Sequence, residues 1–221
     1  MTTSIENIVK YFTDRDLTGT EIEKMIGKPP ILYSNLKNYT FSSFFPKGNG
    51  DFQILILQTK QVNIGHYVLC YLSLDGKLIE YFDSYGLGAP DTYKNFTPYD
   101  EELPNYLSQL LQSDPKRRPI NSNFTDYQKW GKSAVCGRWC SVRCILRMLD
   151  ANEFESMFVN NKSKFLERPD WVVCMLTLLA LDDIGQFFDN HSDPKIQLRR
   201  NISGGESYSR NTRNTLNTRR K

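Results

Sequence analysis

The sequence predicts an α+β domain in which a mixed β-sheet packs against a central buried helix that carries a nucleophilic cysteine. Three observations lead there. Apolar segments of strand length crowd between residues 52 and 82, two of them joined by the turn signal Asp75-Gly76. From Cys136 onward, apolar residues recur at helical spacing: Trp139, Cys140, Val142, Ile145, Leu146 and Leu149. With 221 residues, 39% of them hydrophobic and 13% aromatic, the chain can bury one full core.

Residues 4–12 carry Ile5, Ile8, Val9 and Phe12 at the spacing of an amphipathic helix. Thr20 and Glu23 stand at capping-box distance and open a second short helix, which Gly27 and the prolines after it close. The aromatic-rich segment 39–45 leads into a Gly-Asn-Gly turn at 48–50. Residues 52–58 are continuously apolar at their centre, as in a strand buried on both faces. A second strand spans 66–72, and after the Asp75-Gly76 turn a third spans 77–82, ending in the turn sequence Asp83-Ser84-Tyr85-Gly86.

Residues 100–112 read as a helix with Leu107, Leu110 and Leu111 inward and Pro104 in its first turn. A loop over 115–123 follows, with 121–124 leading toward another short strand. The central helix comes next, with Ser133 as its expected N-cap and Arg138, Arg143 and Arg147 filling the gaps between apolar positions. Two further helices follow, near 153–159 and from 169 to about 188. The apolar run 171–181 is half the length of a membrane span and reads as a buried helix.

Past Asn190 the hydrophobic pattern stops. Residues 191–221 hold eight Lys/Arg against Asp193 and Glu206, a net +6, so the whole-chain charge of +3 leaves the first 190 residues at −3. The expected organisation is therefore a domain over 1–190 and a disordered basic tail over 191–221. Met1-Thr-Thr-Ser-Ile-Glu lacks both the basic start and the apolar core of a signal peptide, and the five cysteines form no spaced framework. Free thiols in a reducing compartment are expected.

A thiol at the head of a buried helix meets the positive end of the helix dipole, which favours the attacking thiolate and makes Cys136 the candidate nucleophile. Such a nucleophile needs a base, a group that orients the base, and donors for an oxyanion. Of the two histidines, His191 lies beyond the predicted domain, which leaves His66 as base. The hairpin through Asp75-Gly76 brings Asp83 beside it, where a carboxylate fixes the imidazole tautomer. Gln128 and the Cys136 backbone N–H are candidate oxyanion donors, with Asn123 or Gln109 as other amides for that role. A zinc site built from Cys136, Cys140, Cys144 and His66 is disfavoured. Structural zinc usually draws ligands from two loops or knuckles, and no C-x-x-C pair exists. Cys70, Cys140, Cys144 and Cys174 read as core packing.

The order His, Asp, Gln, Cys, carried by Gly65-His66-Tyr67, Phe82-Asp83-Ser84, Tyr127-Gln128 and Cys136-Gly137, resembles the adenain-type cysteine proteases. That group includes the adenovirus maturation protease, relatives in virophages and large DNA viruses, and the SUMO-deconjugating proteases. The resemblance spans about 65–148. It implies a viral maturation endopeptidase with Cys136 as nucleophile, His66 as base, Asp83 as its orienter and Gln128 as oxyanion donor. Gly65, Tyr67, Trp130 and Gly137 are then expected to border the substrate.

It further implies capsid or core precursors cut at Gly-Gly-type sites, a location in the virion and the host cell interior, a monomer, no cofactor, no metal and no membrane partner. Ile202-Ser203-Gly204-Gly205 resembles such a site, so self-cleavage after Gly205 would release residues 206–221. A flexible glycine linker is the other reading of those residues. The basic tail is compatible with binding DNA through phosphates or with a solubilising end. Two alternatives stand beside the maturation enzyme: a protease that removes ubiquitin-like modifiers, and a non-catalytic nucleic-acid-binding virion protein.

Overall fold

The computed structural model describes residues 10–46, 51–58, 65–88, 104–121, 126–128, 134–159 and 169–181. All of these lie in one compact unit, Thr2–Asp183; a second unit, formed by Met1 and Ile184–Lys221, falls outside the described residues, as does the predicted domain boundary.

After a helical turn at 10–13, helix α1 runs Gly19–Ile26. Its capping box is Thr18 with Glu21, two residues earlier than the sequence predicts. Both Thr18 and Thr20 have a glutamate three positions on, and only Thr18 holds the extended backbone (φ −74°, ψ 159°) that an N-cap requires. Gly27 closes the helix at φ 78°, where a side chain would be strained.

Five strands follow: β1 Ile31–Leu32, β2 Phe52–Gln58, β3 Gly65–Leu72, β4 Leu78–Phe82 and β5 Arg118–Asn121. They form one mixed sheet in the order β1-β2-β3-β4-β5. The β2–β3–β4 centre is antiparallel, whereas β1 and β5 pair in parallel at the two edges. The predicted loop over 115–123 is thus partly strand. Arg118-Pro119 has loop composition, but a proline is tolerated on an edge, and the Arg118 N–H donates to the Lys77 carbonyl at 3.0 Å.

One sheet face offers Leu55, Leu57, Val68, Cys70, Ile79 and Tyr81 to a layer formed by the 3₁₀ helix Tyr33–Asn38, helix α2 (Phe41–Phe44) and helix α3 (Pro104–Gln112). The other face carries helix α4, Cys136–Ile145, in contact with β3, α1 and helix α6 (Pro169–Leu181). Helix α5, Ala151–Val159, adds Phe154 and Phe158 to an aromatic cluster around Trp139 and Tyr127. Each such side chain removed from water contributes roughly 1.5–3 kcal/mol. Among the described residues no helix is long and apolar enough to cross a membrane.

Helix α4 is buried on every side from Cys136 to Cys144, Arg138 and Arg143 included, where the sequence placed those arginines in the polar gaps. Arg138 Nη1 donates to Thr177 Oγ1 at 2.7 Å. Arg143 donates to the Leu146 and Leu149 carbonyls at 3.0 Å, binds the Tyr71 hydroxyl and lies 3.8 Å from Glu80. These contacts offset part of the cost of burying the two charges and satisfy two carbonyls of the segment that follows α4.

Candidate active site

His66 is the second residue of β3, paired with Leu57 of β2. Just before it, Gly65 runs so close to β2 that a Cβ would lie 2.1 Å from the Leu57 carbonyl oxygen. Gly65, expected to border the substrate, is thus explained by packing, since its bare backbone lets β3 approach β2 and seat the imidazole. His66 and Asp83 are both buried, and His66 Nε2 donates to Asp83 Oδ1 at 2.7 Å. The same Oδ1 accepts the Tyr85 N–H at 3.0 Å, and the Tyr85 ring stacks on the imidazole at 4.8 Å between centroids.

Cys136 is the first residue of α4 and is buried, and its side chain hydrogen-bonds the imidazole. Asp83 already takes Nε2, so Nδ1 is the ring nitrogen turned toward sulfur. Burial of His66 works to lower its pKa, but the negative charge on Cys136 and the hydrogen bonds to Asp83 and Cys136 outweigh it and push the imidazole up to about 9. At neutral pH the ring is therefore an imidazolium. As the opening residue of a helix, Cys136 has a backbone N–H with no acceptor inside α4.

The N-cap of α4 is Val135, without a side-chain cap, in place of the expected Ser133, which lies outside the described residues. The entry to α4 is held instead by the Ala134 N–H donating to the Thr13 carbonyl at 2.8 Å.

Gln128 is buried beside the turn that follows β4. Its Oε1 accepts from Ser84 Oγ at 2.8 Å, and the backbone N–H groups of Tyr127 and Gln128 both donate to the Ser84 carbonyl, at 3.0 and 2.9 Å. Of the other amides considered for that role, Gln109 is exposed on α3 beside a groove with Leu36, Tyr39 and Tyr106, and Asn123 lies outside the described residues.

Tyr67 is buried at the floor of a groove of about 540 Å³, with Leu17, Leu32 and Ile56, and Asp16 and Glu23 at the lining. Gly137 is packed against Tyr67, Ile22 and Leu17; a Cβ there would meet them at 3.1–3.4 Å. Trp130, Gly204, Gly205 and His191 lie outside the described residues. Sequence reasoning missed Ser84 and Tyr85, and the only signal for them was their place in the turn after Asp83.

The other four cysteines are free and buried. Desolvation pushes all four thiols up, Cys144 and Cys174 to about 12. They stay protonated at neutral pH, and none of them is hydrogen-bonded to His66 as Cys136 is.

Fold and site together describe a mixed α+β protein with a buried, carboxylate-held imidazole hydrogen-bonded to a cysteine at a helix N-terminus. The chain belongs to the same family as Uncharacterized protein V9 of Sputnik virophage, with 31% identity over 178 residues that span 77% of this chain and 98% of that relative. No protein-family model matches the chain.

Proposed function

We propose that the chain is a cysteine endopeptidase acting in virion maturation, with Cys136 as nucleophile, His66 as acid and base, Asp83 as its orienter and Gln128 as oxyanion donor. One observation carries the proposal. A buried imidazole takes a carboxylate on one side at 2.7 Å and the thiol of Cys136 on the other, with its pKa raised by both.

In this reading the Cys136 thiolate forms a C–S bond to the scissile carbonyl, whose oxygen becomes an oxyanion held by the Gln128 NH₂ and the Cys136 N–H. The His66 imidazolium gives its proton to the leaving amine as the C–N bond breaks. Water then attacks the thioester, His66 takes its proton, and the C–S bond breaks to return the thiolate. No metal or cofactor is required. The groove at Tyr67 receives part of the substrate chain.

Kinship with a virophage protein favours a viral setting, and the resemblance to adenain-type proteases suggests capsid or core precursors cut at Gly-Gly-type sites. The tail sequence Ile202-Ser203-Gly204-Gly205 is a candidate site of the same type. The test is to incubate the full chain with a capsid precursor and, separately, with a ubiquitin-like fusion ending in Gly-Gly. Cleavage of the precursor that vanishes in Cys136→Ala supports the proposal. Preferential cleavage of the fusion redirects it to modifier removal. Cleavage of neither, with nucleic-acid binding unchanged by Cys136→Ala, overturns it in favour of a non-catalytic virion protein.

A further inference from the structure

We propose that Ser84 is the positioning residue of the oxyanion donor, so that one dipeptide, Asp83-Ser84, orients both halves of the catalytic machinery. The inference rests on the protease reading and deepens it. Asp83 holds the base through its carboxylate. The next residue holds Gln128 and its neighbour through three hydrogen bonds: hydroxyl to side-chain oxygen at 2.8 Å, and carbonyl to the N–H groups of Tyr127 and Gln128 at 3.0 and 2.9 Å.

A primary amide has an acceptor end and a donor end, and rotation by half a turn exchanges them. The Ser84 hydroxyl donates to Gln128 Oε1 here, and in this orientation the NH₂ group faces away from Ser84. Both side chains are buried, where a hydrogen bond is stronger than in water, and removing the Ser84 hydroxyl takes this donor from the amide oxygen. The turn that carries the dipeptide is closed by the Gly86 N–H donating to the Asp83 carbonyl at 2.8 Å, with Gly86 at φ 69°. The two side chains thus leave one rigid corner, one toward the imidazole and the other toward the amide.

The test compares two reactions of the full-length protein at Cys136. Alkylation by iodoacetamide needs the thiolate and forms no oxyanion. Reversible addition of a peptide aldehyde of sequence Ile-Ser-Gly-Gly forms one. Ser84→Ala is expected to alkylate at the wild-type rate and to bind the aldehyde about 10- to 100-fold more weakly, a substantial part of the loss typical when one oxyanion donor is removed.

The double variant Ser84→Ala/Gln128→Ala should bind the aldehyde no worse than Gln128→Ala alone, because Ser84 acts only through Gln128. Ser84→Thr keeps the hydroxyl and should restore affinity, which also covers the case of a poorly folded alanine variant. Wild-type affinity in Ser84→Ala, additive losses in the double variant, or a folded Ser84→Thr as weak as Gln128→Ala overturns the role of Ser84 while leaving the protease reading in place. A wild type whose Cys136 forms no aldehyde adduct overturns both.

Discussion

His66 Nε2 and Asp83 Oδ1 lie 2.7 Å apart with neither side chain open to solvent. The carboxylate accepts, so the ring must carry its proton on Nε2 and present Nδ1 to Cys136. Asp83→Asn offers an amide that can donate where the carboxylate only accepts, and so favours the wrong tautomer. Its expected effect is a fall in peptide turnover of about 10²–10⁴-fold, with a loss of melting temperature at neutral pH because one cause of the raised imidazole pKa is gone. Steady-state kinetics on a Gly-Gly peptide beside a thermal melt checks both halves.

The imidazole pKa of about 9 sets a pH dependence. Release of the leaving amine needs protonated His66, so peptide turnover should fall as pH rises through about 9. Alkylation of Cys136 needs only the thiolate and should persist there. Stability follows the same sign. The folded value lies above the ordinary 6.5, so the stabilising contribution is full below about 6.5 and lost as pH rises through about 9. Wild type should therefore lose melting temperature over that window more steeply than Cys136→Ala, in which one cause of the raised value is gone.

Gly65 and Gly137 separate by the hardness of what surrounds them. A Cβ at Gly65 meets a backbone carbonyl at 2.1 Å, whereas at Gly137 it meets side chains at 3.1 Å or more. Gly65→Ala should cost about 2–3 kcal/mol, or roughly 4–12 °C in melting temperature, and displace His66 as β3 shifts. Gly137→Ala should cost less, since Tyr67, Ile22 and Leu17 can give by a few tenths of an ångström. Paired melts of the two variants decide the order.

Arg143 joins Tyr71, Glu80 and the Leu146 and Leu149 carbonyls just beyond α4 with almost no exposure. Arg143→Ala removes the donors to those carbonyls and the cation beside Glu80, which keeps the Tyr71 hydroxyl, and should destabilise by about 1–3 kcal/mol, measurable by chemical denaturation.

Self-cleavage after Gly205 is a separate proposal, compatible with the proposed specificity. Intact-mass measurement should show loss of residues 206–221 from wild type and a full-length Cys136→Ala. Full-length chains in both remove that idea alone.

How far the chain could be read in advance follows from where the information sits. Strands β2, β3 and β4 were legible because a continuous apolar run and an Asp-Gly turn are local signals. Strand β5 was not, because its parallel pairing uses backbone groups and asks nothing of Arg118-Pro119. The N-terminus of α1 was misplaced by two residues because Thr18 and Thr20 offer the same local pattern, and only the backbone geometry separates them. The burial of Arg138 and Arg143 could not be seen from their own helix; Thr177, Tyr71 and Glu80 come from distant elements. In the site, the nearness of His66 to Asp83 followed from the hairpin. Ser84 and Tyr85 looked like ordinary turn residues, since what they hold arrives only with the tertiary fold.

The most direct measurement is peptide mapping by mass spectrometry after brief exposure of the full chain at neutral pH to a vinyl sulfone carrying Ile-Ser-Gly-Gly. The expected result is one adduct, on Cys136, with Cys70, Cys140, Cys144 and Cys174 untouched and the adduct lost in His66→Ala. Labelling spread over several cysteines, or labelling of Cys136 indifferent to His66, would contradict the imidazole–thiolate pair on which the proposed chemistry depends.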